Sequence, residues 1–232
     1  MRRLTTVLLL TTLALMATAS SVAVGDPPPA ASYFDIEFED VPKGKARADL
    51  LNLVIRESAN FTRIDIVLVN KRVSVGRVKK LYYLKDLRIR PGQIVRIQPE
   101  VDGPPFEAKI QFVEAFFPTG KPPQLVIRAF GPPYEPRRTS KPYPRLSSDN
   151  FRGRRTLVEE KGERKPDLIT CVGDTPGDLR IRFGGLADVK DVGLAFSTTY
   201  VMDDVQHRWD PNNGLQTRYQ GTRHVKVRKR KR

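Results

Sequence analysis

The stretch Arg63-Ile64-Asp65-Ile66-Val67-Leu68-Val69 places a bulky aliphatic side chain at every second position. A period of two is typical of a half-buried β-strand, because successive side chains of a strand point to opposite faces. Residues 33–38, with the sequence YFDIEF, alternate apolar with acidic side chains in the same way. Both stretches therefore predict strands with one buried face.

Working outward, residues 33–130 contain about seven such apolar stretches, spaced near ten residues apart and divided by turn signals. Pro91-Gly92 is a typical turn because proline presets one dihedral and glycine accepts a positive φ. Residues 45–57 are the one segment whose apolar spacing also suits a helix. The pattern predicts an antiparallel β-sandwich or barrel-like module over residues 32–131.

The strand pattern returns over residues 166–225, with apolar stretches at 168–172, 179–183, 192–202 and 215–219. Asp210-Pro211-Asn212-Asn213-Gly214 predicts a turn before the last of them. So few residues make a marginal independent fold. We therefore expect a small second β module that packs on the first module or on a partner.

The segment between the modules, residues 132–165, is rich in proline, serine and arginine, which predicts an extended basic linker. The formal net charge is +15, from 41 Lys and Arg against 26 Asp and Glu, and much of the excess lies in this linker and in the basic tail 226–232. Blocks of like charge commonly serve as interaction arms. The predicted polyanion-binding residues are Arg137, Arg138, Lys226, Arg228, Lys229, Arg230, Lys231 and Arg232. The alternative is a solubilising tail with no dedicated partner.

The N-terminus predicts export from the cytosol. Arg2 and Arg3 precede the apolar run 4–16, and a stretch of small residues follows up to Ala23. This is the pattern of a secretory signal peptide over residues 1–23. The alternative is an uncleaved membrane anchor, but the apolar run is short for a membrane span and contains several threonines. We expect a secreted, extracellular product without a stable membrane span, whose polyanion partner is a sulfated glycosaminoglycan or another anionic surface.

Two further residues bear on export. The sequon Asn60-Phe61-Thr62 makes Asn60 a candidate glycosylation site. Cys171 is the only cysteine, so no intrachain disulfide can form. It is either a buried structural thiol or the bridge of a disulfide-linked homodimer.

Arg152-Gly153-Arg154-Arg155 resembles the site recognised by furin-type proprotein convertases. A protease needs an exposed, extended substrate, and a solvated linker offers one. Cleavage after Arg155 would release residues 156–232, which hold Cys171 and the basic tail. A chance match in a chain this rich in arginine is the alternative.

Catalytic and metal sites are not indicated. The chain has two histidines, His207 and His224, and no Gly-x-Ser-x-Gly elbow. His207 follows Asp203 and Asp204, but the spacing matches no common metal site, and a polar turn region is the preferred interpretation. We expect no enzyme, no cofactor and no metal.

The sequence thus predicts a secreted, non-enzymatic binding protein that its basic linker and tail tether to extracellular polyanions. The alternative is a secreted precursor, cleaved after Arg155, whose C-terminal fragment is a signalling or defence ligand for a protein receptor.

Overall fold

The computed structural model describes residues 33–75, 78–84, 88–101, 103–135, 145–147, 149–156, 159–160, 163–164 and 167–225. The predicted leader 1–23 and the predicted polyanion-binding residues Arg137, Arg138 and 226–232 lie outside this part of the chain. No helix in the described ranges combines the length and the apolar character needed to cross a membrane.

Strands dominate these residues, which confirms the predicted mostly-β class. The one described helix is α1 (Lys45–Ala48). In chain order the described strands are β1 (Phe34–Phe38), β2 (Leu50–Ser58), β3 (Thr62–Val69), β4 (Arg72–Val75), β5 (Val78–Leu81), β6 (Ile94–Pro99), β7 (Phe106–Phe116), β8 (Gln124–Gly131), β9 (Arg145–Ser147), β10 (Asp149–Thr156), β11 (Glu159–Glu160), β12 (Glu163–Arg164), β13 (Asp167–Pro176), β14 (Leu186–Lys190), β15 (Thr198–Asp210) and β16 (Gly214–Val225).

Twelve of these strands belong to one sheet, whose main path runs β1-β6-β7-β8-β3-β2-β15-β16-β13-β10. β14 pairs with β15, and β9 adds to β14. The described pairs are antiparallel except β9 with β14, which are parallel. β4 with β5 and β11 with β12 form two separate two-stranded sheets.

The first core lies against the strands from β1 to β8. In β3 the inward positions are Ile64, Ile66 and Leu68, and all three are fully buried, as the alternation predicts. Asp65 faces outward between them, and its carboxylate accepts hydrogen bonds from Arg63 at 2.7 Å and Arg128 at 2.9 Å. Burial of one face and solvation of the other fixes the register of the strand.

A second, separate core lies under β13 to β16, and its largest buried side chains are Tyr200 and Tyr219. The two halves share one sheet because β2 pairs with β15, from Leu53 opposite Trp209 to Ser58 opposite Asp204. The small second module therefore extends the sheet of the first module.

Three local predictions fail. The segment 45–57, whose spacing also suits a helix, is helical only over the four residues of α1, because Val54 and Ile55 are β-branched and favour the strand β2. The strand expected over 179–183 is a loop. The linker expected over 132–165 contains β9 and β10 within its described residues. An edge strand keeps one face in solvent and can therefore be rich in arginine, as a linker is. Composition alone does not distinguish the two.

The turn predictions hold. Gly92 has φ of 98°, a conformation that glycine adopts without a steric penalty. The β15–β16 turn is organised by Asp210, whose carboxylate accepts the backbone N–H groups of Asn212 and Asn213 at 3.0 Å each.

Candidate functional site

A buried ion pair joins the two halves of the sheet. Glu57 of β2 is fully buried, Arg182 of the loop before β14 is 6% exposed, and they meet side-on. The Arg182 Nε donates to Oε2 at 2.8 Å and its Nη2 donates to Oε1 at 2.6 Å, which is a bidentate contact. The backbone N–H of Phe183 donates to Oε2 at 3.1 Å. This set of donors satisfies the buried carboxylate.

The Arg182 guanidinium is enclosed on its remaining sides. Its carbon lies 3.7 Å from the ring centroid of Phe106 and 3.9 Å from that of Tyr134. The Nη1 donates to the Pro104 carbonyl at 2.9 Å. Arg182 makes these contacts from the loop that stands where a strand was expected over 179–183.

His207 of β15 lies in the same junction and is fully buried. Its Nε2 lies 3.0 Å from the carbonyl oxygen of Ile181, and its Nδ1 lies 2.8 Å from the Thr217 hydroxyl. Because the Thr217 oxygen also accepts the N–H of Asp178 at 3.1 Å, its proton is free for Nδ1, and Nε2–H donates to Ile181. Burial lowers the pKa of His207 to about 3, and the Arg182 charge adds to the lowering.

This junction is suited to fixing geometry and poorly suited to catalysis. Both nitrogens of His207 are occupied, Glu57 is fully buried, and Arg182 is only 6% exposed. No group of three metal-binding side chains occurs among the residues that the structure describes. The polar-turn interpretation of His207 is wrong, since His207 belongs to a strand in the interior. Sequence reasoning missed Glu57 and Arg182, and only their tertiary contact marks them.

A surface cavity of about 330 Å³ lies beside the junction, between Leu146 of β9 and residues 175–180 at the end of β13 and just after it. The charged groups of its wall are Arg145, Asp178 and Arg180. Arg180 is already engaged by the Asp178 carboxylate at 2.7 Å.

A second feature is a group of three exposed aromatic side chains, here called the β7 patch: Phe112 and Phe116 of β7, and Phe117 directly after it. Their exposed fractions are 46%, 51% and 59%. On the same outer face, Phe116 lies opposite Gln124 of β8, which lies opposite Val69 of β3. Clustered exposure of this kind marks an interaction surface more often than scattered apolar residues do.

A β-bulge creates the patch. Phe106, Ala108 and Ile110 point into the first core, and the register with β8 shifts between Ile110 and Phe112. The shift moves Phe112 from the inner to the outer face, because one extra residue reverses the alternation. The sequence predicts the strand but gives no sign of the bulge. Unbroken alternation after Ile110 would place Phe112 on the inner face, in the core.

The same strand has an unpaired edge. β6 pairs with Phe106 to Lys109, and Ile110 bonds to the residues just before β6. Beyond Ile110, no described strand lies on that side of β7 as far as Phe116. An unpaired run of backbone N–H and C=O groups can accept a further strand.

The predicted cleavage site lies within a strand. Arg152, Arg154 and Arg155 belong to β10, which pairs with β13 from Arg152 opposite Val172 to Thr156 opposite Leu168. Gly153 of the same string packs against Phe196, whose ring would clash with any Cβ there at 2.5 Å. A hydrogen-bonded strand does not offer the extended, free segment that a convertase needs.

Cys171 lies in β13 and is 1% exposed. Burial raises the pKa of its thiol to about 12, although a backbone hydrogen bond with Gly221 acts in the other direction. A thiol so placed cannot meet a second chain without opening the sheet, which argues against the disulfide-linked homodimer. Asn60 lies exposed in the turn between β2 and β3.

We expect Cys171 to resist modification in the native protein. A thiol reagent such as dithionitrobenzoate should label the folded chain far more slowly than the chain in denaturant, because the thiolate is scarce and inaccessible. Mass spectrometry without a reducing agent should give the mass of a single chain, and not that of a disulfide-linked dimer. Rapid labelling without denaturant would contradict the burial of this residue.

The chain matches no known protein-family model, and no curated protein matches its sequence. Its fold resembles a tail protein from Neisseria meningitidis MC58, with 8% identity and a TM-score of 0.52 over 82% of this chain and 96% of that one. The 43 kDa tail protein of prophage MuSo2 from Shewanella oneidensis gives 7% identity and a TM-score of 0.48, over 82% and 96%. An E. coli component of the type VI secretion system, similar in structure to the T4 bacteriophage tail proteins gp27 and gp5, gives 9% and 0.48, over 84% and 77%.

These comparisons correct the functional prediction. The heparin-binding glycoprotein and the cleaved ligand precursor are both wrong, because the solved structure that shares this fold is the Neisseria tail protein. At such low identity, the Neisseria protein shows a shared fold and no more.

Proposed function

We propose that this chain is a non-catalytic structural subunit of a tail-like protein assembly. The observation that carries the proposal is the β7 patch, in which three phenylalanines lie exposed beside an unpaired strand edge. The fold shared with the Neisseria tail protein supports the same class of role. A neighbouring subunit that covers the patch would remove its apolar surface from water, which is the main favourable term in protein association.

The junction supports this role in a different way. A subunit that builds an assembly must present its surfaces at a fixed mutual orientation. Glu57 and Arg182 tie β2 to the loop before β14, and the β2–β15 pairing continues the sheet across the same point. The two cores are therefore held as one platform.

We expect the patch to be required for incorporation into the assembly. In the native host, a variant with Phe112→Ser, Phe116→Ser and Phe117→Ser should sediment as a free chain, whereas the wild-type chain should sediment in particles. Buried aromatic anchors dominate interface energies, so loss of three of them should lower incorporation at least tenfold, an order-of-magnitude expectation. Immunogold electron microscopy of the particle fraction gives the second readout.

Leu194→Ser is the matched control. Leu194 is fully exposed and lies in a turn remote from β7 in the chain, so this variant should behave as wild type. Circular dichroism should show both variants folded. If the wild-type chain never enters particles, or if the triple variant enters them normally, the proposed function is wrong.

Export remains a prediction beside this proposal. The leader over residues 1–23 is tested by the N-terminal sequence of the native chain. A start after Ala19 or Ala23 would support it, and an intact Met1 would contradict it.

A further inference from the structure

The strand β10 has an outer edge that can accept another strand. It ends the main path of the sheet, so no described strand pairs with that side. Arg152 and Arg154 are exposed, and neither has an ion-pair partner among the described residues. Two positions apart on a strand, they point to the same face. Among the described strands this edge of β10 therefore has no pairing partner, and it is positively charged.

At the opposite end of the sheet, side chains occupy backbone hydrogen-bonding groups of the edge strand β1. In β1 the Asp35 carboxylate accepts the N–H of Ile36 at 2.9 Å, and Arg47 donates to the Phe34 carbonyl at 3.5 Å. Natural proteins protect edge strands in such ways against unwanted pairing.

The free edge of β7 carries the complementary charge. Glu114 is exposed between Phe112 and Phe116 on the outer face, with no ion-pair partner in the part of the chain that the structure describes. A single acidic side chain flanked by two exposed rings is suited to arginines. The fold already uses this chemistry, since Arg63 lies 5.9 Å from the ring centroid of Phe130.

We propose that the β7 edge of one copy of this chain pairs with the β10 edge of a second copy. This interface rests on the proposed function and names the neighbouring subunit. If both copies keep their cores on the same side of the joined sheet, Glu114 falls on the same face as Arg152 and Arg154. Phe112 and Phe116, which flank Glu114 on this face, then lie on the same side of the joined sheet as the two guanidinium groups.

Within one molecule these two edges do not pair, because six strands separate β7 from β10 along the sheet. The two edges are different surfaces, so the contact is head-to-tail. Such contacts build rings when the rotation closes, and filaments when it does not.

The test is a charge exchange in the full-length chain, followed by sedimentation velocity over a range of concentrations. Wild type should associate with increasing concentration. Glu114→Arg alone, or Arg152→Glu with Arg154→Glu, should weaken association at least tenfold, because like charges then face each other. The triple variant that combines all three changes should regain association, since the charges are exchanged and still complementary.

Arg218→Glu is the matched control, because Arg218 is exposed on the interior strand β16 and should leave association unchanged. Circular dichroism should show every variant folded. The interface is wrong if wild type stays monomeric, if the edge variants associate as wild type does, or if the triple variant is not restored. In each case the chain can still enter particles through other partners, so the incorporation experiment decides the proposed function separately.

Discussion

Replacing Arg182 with methionine should lower the free energy of unfolding by about 3–5 kcal/mol, the cost of breaking a buried ion pair from one side. The Glu57 carboxylate would remain fully buried and would lose the bidentate contact at 2.8 Å and 2.6 Å. Only the N–H of Phe183 would still donate to it. Urea unfolding followed by the fluorescence of Trp209, the single tryptophan, measures the change.

Two variants make this result specific. Arg180→Met removes a guanidinium that is half exposed beside Asp178, so it should cost less than about 1 kcal/mol. The double variant Glu57→Leu with Arg182→Met should be more stable than Arg182→Met alone, because no buried charge is left uncompensated. If Arg182→Met lowered the free energy of unfolding by no more than Arg180→Met does, the junction would not hold the two halves together.

Lowering the pH from 6.5 to 4.5 should destabilise the protein through His207. In the unfolded chain the imidazole binds a proton near its ordinary pKa of about 6.5, whereas burial lowers the pKa to about 3 in the folded chain. Between these values the unfolded state binds more protons. The stability is therefore complete above pH 6.5 and falls by about 1.4 kcal/mol for each pH unit below it.

Most other shifted groups act elsewhere on the pH scale. Four carboxyls have a lowered pKa because hydrogen bonds and nearby cations outweigh burial, and they are Asp49, Asp178, Asp188 and Asp210. Their stabilisation is lost only below about pH 4. Burial raises the pKa of Asp203, which works in the opposite direction, so a variant comparison is needed to isolate His207.

His207→Gln supplies that comparison. Glutamine keeps a donor for the Ile181 carbonyl and an acceptor for the Thr217 hydroxyl, but it does not titrate. Unfolding free energies measured from pH 7 to 4.5 should fall more steeply for wild type than for the variant. Parallel curves would mean that His207 is already accessible to protons in the folded chain.

Local patterns predicted the strands well where one face is buried. Ile64, Ile66 and Leu68 point inward as their spacing requires. The turns at Pro91-Gly92 and after Asp210 also follow from residue chemistry, since a positive φ or a short side-chain acceptor decides them locally. These features depend on neighbours a few residues away.

Edge strands and bulges were not predictable in this way. The arginine-rich sequence of β10 has the composition of a linker, because an edge strand and a linker are both exposed to solvent. Only the pairing with β13 shows that this segment is a strand. The bulge after Ile110 depends on the register with β8, so Phe112 could not be assigned to the outer face. Function was predicted wrongly for the same reason, since the prediction rested on the charge of the linker and tail sequences and not on surfaces that exist only in the folded sheet.

By itself, the sequence determined that the chain is built of antiparallel strands in two stretches, because a period of two and the turn residues act over short distances. The tertiary structure alone decided that the two stretches share one sheet, that Glu57 meets Arg182, and that three phenylalanines face solvent. Each of those depends on contacts between residues far apart in the chain, whose partners no local pattern records.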